Sequence, residues 1–127
     1  MSNCRDQRDY KKRGLSASDG GRGIKVAATA TPGTLIHTAP SNIASGEWDE
    51  ITLRAVNTSG SPVKLTIEWG GTTSPDDLVE ITIPAESGFT EVIPSHVLQN
   101  GKDVRAFAAS ADVLVLHGFV NRYGNTP

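Results

Sequence analysis

The chain has 127 residues, 12 Lys and Arg against 14 Asp and Glu, a net charge of −2, and 20% charged residues. That length gives one domain at most, and a domain so small buries a modest core that partner subunits would reinforce. A single cysteine, Cys4, excludes an internal disulfide framework.

The charge is unevenly spread. Residues 1–25 hold seven cations and three acids, whereas 26–127 hold five cations and eleven acids, so +4 and −6 sum to −2. The opening residues lack the apolar stretch of a signal peptide, and no apolar run approaches the ~20 residues that cross a bilayer. A cytosol-like compartment and no membrane are therefore expected.

Residues 1–33 read as a flexible basic N-terminal arm, because Gly14, Gly20, Gly21, Gly23, Gly33 and Pro32 leave little apolar area to offset ordering entropy. Its cations Arg5, Arg8, Lys11, Lys12, Arg13 and Arg22 fit three roles: a solubilising tail, docking onto a protein surface, or contact with nucleic acid. Asp6 and Asp9 dilute the cluster and the body is acidic, which weighs against nucleic acid.

Residues 34–123 read as the folded domain, with 124–127 as a tail. The stretch 34–38 is β-prone. From 48 to 57, Ile51, Leu53 and Ala55 alternate with Glu50, Thr52 and Arg54. Val63, Leu65, Ile67 and Trp69 alternate with Lys64, Thr66 and Glu68 after the turn-forming segment 58–62, which predicts an antiparallel pair. Further strands follow at 78–83 and 89–93, the second closed by Pro94. Asn100-Gly101 marks a tight turn within a loop over 96–103. Strands at 104–109 and 113–122 complete the set. In the last, Val113, Val115, His117 and Phe119 oppose Leu114, Leu116 and Val120, so both faces are apolar. About seven short strands and no long helix predict an all-β fold, an antiparallel β-sandwich of Ig-like or jelly-roll-like form.

No catalytic constellation emerges, so an enzyme is not expected, and no cofactor is implied. His37, His96 and His117 lack the spacing of a metal site, although His37 and His117 could be neighbours. Asp76, Asp77 and Glu80 lack the calcium-loop pattern and read as a solvated loop. Gly20-Gly21-Arg22-Gly23 has neither the strand before nor the helix after that a phosphate cradle needs. Asn57-Thr58-Ser59 reads as a turn. Trp48 and Trp69 fit either a core or interface role, or an exposed sugar platform if coplanar.

Several phrases recur together: Ile36-His37-Thr38-Ala39, Trp48-Asp49-Glu50-Ile51-Thr52-Leu53 and Leu65-Thr66-Ile67-Glu68-Trp69-Gly70-Gly71-Thr72. Pro75-Asp76-Asp77, Ile83-Pro84-Ala85, Val104-Arg105-Ala106-Phe107-Ala108 and Gly118-Phe119-Val120-Asn121-Arg122 follow in order. Over about 34–123, the chain resembles a family of small proteins encoded among the virion structural genes of tailed bacteriophages. The resemblance implies a capsid decoration or cement protein, made in the host cytoplasm and located on the capsid surface. Its partners would be the major capsid protein and its own copies, as a homo-oligomer with a trimer expected. Self-association is expected through Val113, Val115, Leu116, Phe119 and Val120. The alternatives are a neck or tail-fibre-attachment protein and a host-surface glycan-binding module.

Overall fold

The computed structural model describes the backbone of residues 8–41 and 46–125, and the side chains of 11–41 and 46–124. Nine strands follow in order: β1 (Arg8–Gly14), β2 (Ile24–Lys25), β3 (Thr34–Thr38), β4 (Trp48–Asn57), β5 (Val63–Trp69), β6 (Leu78–Ile83), β7 (Thr90–Gln99), β8 (Asp103–Ala108) and β9 (Leu114–Asn125). One sheet, here sheet A, runs β1-β9-β4-β7 with β2 also on β9; sheet B runs β3-β8-β5-β6.

The pairings are nested. β1 and β2 pair with β9, β3 with β8, β4 with β7 and β5 with β6, all antiparallel. This is one long hairpin, rolled over so that β4 also meets β9 and β5 meets β8. Two sheets with that strand order form a jelly roll, so the Ig-like alternative does not apply.

The core lies between the sheets, where alternate residues of each strand point inward. Ile51, Leu53 and Ala55 of β4 meet Leu65 and Ile67 of β5, with Leu114, Leu116 and Val120 of β9, and all are fully buried. Gly118 completes the inner row of β9. A Cβ there would overlap the carbonyl oxygen of Thr52, so the close approach of β9 to β4 requires glycine.

Four expectations need correction. First, the segment assigned to a flexible arm is largely part of the sandwich. β1 pairs with β9 through seven consecutive residues, and Leu15, Ile24 and Val26 are core residues. Its apolar anchors are too widely spaced to show a period, and β1 is held mainly by backbone pairing with β9. Arg5 lies outside the described residues.

Second, β4 and β5 do not pair. They face each other from opposite sheets, because 58–62 forms an arch across the sandwich. Buried Asn57 builds that arch: its Nδ2 donates to the carbonyls of Ser61 (2.8 Å) and Ile83 (3.0 Å), and its Oδ1 accepts from the Ser59 N–H (2.9 Å). Alternation sets which face is buried, not which strand is the neighbour.

Third, Pro94 does not end its strand. β7 runs on to Gln99 through two register shifts opposite β4, with Ser95 at φ 62°. An edge strand tolerates the proline because its missing N–H is not needed on the open side. Asn100 and Gly101 do form a tight turn with φ 63° and 71°, but it carries the chain from sheet A to sheet B.

Fourth, His37 and His117 are not neighbours. His37 lies buried between the sheets, and His117 sits on the outer side of sheet A against Phe89.

Candidate functional site

The outer face of sheet A is built by the second side-chain row of its two central strands. Direct register partners across β4 and β9 are Trp48 with Tyr123, Glu50 with Asn121, Thr52 with Phe119, Arg54 with His117, and Val56 with Val115. These side chains stand on a rigid, twice-paired scaffold. Trp48 and Tyr123 stack with centroids 4.3 Å apart and planes 19° from parallel. Lys12 of β1 places its ammonium 4.3 Å from the Phe119 ring centre, a cation–π contact. Phe89, 62% exposed, meets His117 edge-on at 5.0 Å. Val97 on β7 is 50% exposed. The result is a ring-rich surface with a cationic rim.

Polar groups are woven between these rings. Asn121 Nδ2 donates to Glu50 Oε1 at 3.2 Å, and the Tyr123 hydroxyl donates to the same oxygen at 3.3 Å. The buried Asn121 Oδ1 accepts no hydrogen bond. Stacking uses one face each of Trp48 and Tyr123 on the other ring, which is not the coplanar arrangement a sugar platform needs. Trp69 is half-buried at the end of β5 beside Val79, Val92, Ile93, Pro94 and His96, in an apolar cleft of about 180 Å³.

Beneath this face lies a charged cluster that joins the sheets. Asp49 on β4 is fully buried and directly opposite Arg122 on β9. Arg122 donates from Nε to Oδ1 at 2.7 Å and from Nη2 to Oδ2 at 2.9 Å. His37 of β3 reaches across from sheet B, with Nε2 2.6 Å from Oδ2. The Ser16 N–H donates to His37 Nδ1 at 2.9 Å. That donation leaves a lone pair on Nδ1, so the ring proton is on Nε2 and is donated to Asp49. Burial works to raise the Asp49 pKa, but the hydrogen bonds from Arg122 and His37 and the charge of Arg122 outweigh it and hold the carboxyl below its ordinary value. The same contacts raise the Arg122 pKa.

Serine, histidine and aspartate thus come together, but not as a nucleophile relay. Ser16 meets His37 through its backbone N–H, while its hydroxyl accepts from the Thr38 N–H at 2.8 Å. The cluster is a clasp between layers.

A second buried carboxylate, Glu68, accepts from the Gly33 N–H at 2.7 Å and from the Thr31 hydroxyl at 2.5 Å. Arg105 donates to the Gly33 carbonyl at 3.1 Å. These bonds hold segment 27–33 against sheet B. Nothing local in the sequence marks Glu68, since its alternation places it on the solvent side and only a distant segment covers it.

The expected binding residues separate clearly. Lys11, Lys12 and Arg13 are exposed on β1, Arg8 lies in the same strand, and Arg22 is exposed beside Asp19 at 3.8 Å. Lys11 and Arg13 join Arg122, Tyr123, Gly124 and Glu47 around a cleft of about 150 Å³. Of the residues expected to self-associate, Leu116 and Val120 are core residues with no exposed surface, which corrects that expectation. Val113 packs against the core, while Val115 and Phe119 belong to the outer face. The signal for Asp49 was present, because it shares the inward register of Ile51, Leu53 and Ala55.

No protein-family description matches the chain, and no curated protein matches it. One solved structure, from Bacillus endospore appendages described as a novel family of disulfide-linked pili, is similar. It is 15% identical, covering 99% of this chain and 96% of its own, with a TM-score of 0.44.

Proposed function

We propose that this chain is a structural protein of a tailed-bacteriophage particle, decorating the capsid lattice and stabilising the head by bridging neighbouring subunits. The sequence resemblance over 34–123 points to such particles. The observation that carries the reading is the outer face of sheet A, where Trp48, Tyr123, Phe119, Phe89 and Val97 lie on one rigid sheet. Rings and the exposed Val97 on a pre-ordered surface are suited to a large protein partner, since little ordering entropy is lost on docking. Lys12 and its neighbours Lys11 and Arg13 supply a cationic rim for an acidic capsid surface.

The test is co-sedimentation of the purified protein with expanded phage heads lacking it. Saturable binding at a fixed ratio to the major capsid protein, lost in Phe119→Ala with Phe89→Ala, is expected. Heads that neither bind the protein nor gain resistance to heat and low salt from it would refute the reading.

A further inference from the structure

Among the described residues, the two sheets of this sandwich have four edges, formed by β1 with β2 beside it, β7, β3 and β6, and they are not alike. β7 carries Pro94 and two register shifts, both of which obstruct pairing with another chain. β3 is bulged between Leu35 and His37, and its flank is already taken: the Ala17 N–H donates to the Ile36 carbonyl at 3.2 Å, and the Thr38 N–H to the Ser16 hydroxyl. The other two edges carry no such guard. β1 pairs with β9 through seven residues without a shift, and β6 pairs with β5 through six without a shift, and neither contains proline. Each ends its sheet among the described residues.

These two open edges carry opposite charge. Arg8–Gly14 holds Arg8, Lys11, Lys12 and Arg13 against Asp9, a net of +3. The turn before β6 and β6 itself, residues 76–83, hold Asp76, Asp77 and Glu80, a net of −3, with Lys64 of β5 3.3 Å from Glu80. They also lie at opposite ends of the strand order, β1 leading sheet A and β6 closing sheet B. On β6, Val79 is 37% exposed beside the Trp69 cleft, which gives the contact an apolar component.

From this we infer that β1 of one copy pairs with β6 of a second copy, edge to edge and head to tail. The basic edge meets the acidic edge, and the backbone groups of both are satisfied by a continuous sheet. Two different surfaces meet, so the contact is heterologous and repeats from copy to copy, closing into a ring or extending as a chain. Like edges repel, so β1 does not pair with β1, nor β6 with β6. This contact runs along the backbone edge of β1, beside the rings of the outer face of sheet A, and draws on cations that also rim that face, Lys12 above Phe119 among them.

A charge-swap experiment tests it with the full chain. One variant carries Lys11→Glu, Lys12→Glu and Arg13→Glu; the other carries Asp76→Lys and Glu80→Lys. By sedimentation velocity at low salt, the unaltered protein associates, each variant alone stays monomeric, and an equimolar mixture of the two associates again. Circular dichroism checks that both variants fold. Hydrogen exchange on the unaltered chain, at low and high concentration, gives an independent reading: amides of β1 and β6 gain protection with concentration and those of β7 do not. A protein monomeric at all concentrations, variants that associate as the parent does, or a mixture that stays monomeric would each overturn the inference. Failure to bind phage heads would leave all of these results unchanged.

Discussion

Asp49 and Arg122 face each other across the β4–β9 ladder as direct register partners, and Arg122 holds both carboxylate oxygens, at 2.7 and 2.9 Å. His37 adds a third contact from the opposite sheet. The pair therefore fastens sheet A internally and fastens it to sheet B, directly beneath the Trp48–Tyr123 stack.

Removing one partner should cost far more than removing both. Asp49→Ala leaves Arg122 and His37 facing an apolar gap, and a loss of about 3–5 kcal/mol is expected from breaking a buried pair. Asp49→Leu with Arg122→Met should be milder than Asp49→Ala. Urea unfolding of the three proteins checks this order.

The depressed pKa of Asp49 fixes the sign of its pH dependence. A carboxyl whose folded value lies below its unfolded value of about 3.9 contributes stability that is complete above that value. The contribution is lost as pH falls through the folded value. Between pH 6 and pH 2, the stability difference between the unaltered protein and Asp49→Asn should shrink, as read by denaturant titration at each pH.

Glu68 makes a comparable claim for the other sheet. Glu68→Ala leaves the buried Gly33 N–H without its acceptor, a cost of about 1–3 kcal/mol. Segment 27–33 should become more susceptible to limited proteolysis, whereas cleavage elsewhere stays unchanged.

Leu116 and Phe119 lie three residues apart on β9 but belong to different surfaces. Leu116→Ala should lower stability by about 2–5 kcal/mol. Phe119→Ala loses the ring beneath Lys12, for about 0.5–1 kcal/mol at an exposed site. Thermal unfolding together with head co-sedimentation separates the two effects, because only Phe119→Ala should weaken docking in a folded protein.

Gly118→Val should destabilise by about 1–3 kcal/mol or more, since the added carbons meet the Thr52 carbonyl in a backbone that has no room to shift. Calorimetry on the purified variant gives the answer.

The strands with clean alternation were legible in the sequence. β4 and β5 carry their inward residues as read, and the last strand has two apolar faces because Leu114, Leu116 and Val120 enter the core while Val115 and Phe119 stand half-buried on the outer face of sheet A. Pairing was not legible. The alternation of Trp48–Asn57 and Val63–Trp69 is the same for a hairpin and for an arch, and only the buried Asn57 bonds decide between them. β1 was invisible for a different reason: an edge strand held by backbone bonds needs no apolar period, so Tyr10-Lys11-Lys12-Arg13 reads as solvent-facing sequence. The clasp was half legible. Asp49 is an acid in an inward register, but its partners His37 and Arg122 stand 12 and 73 residues away.

The central claim is that the chain functions as a repeated structural component of a phage head. Counting its copies per purified virion, by quantitative mass spectrometry against the major capsid protein, tests that most directly. A stoichiometry in fixed proportion to the lattice, in hundreds of copies or an equally regular fraction of capsid subunits, is the result the account predicts. A handful of copies, or none, would contradict it.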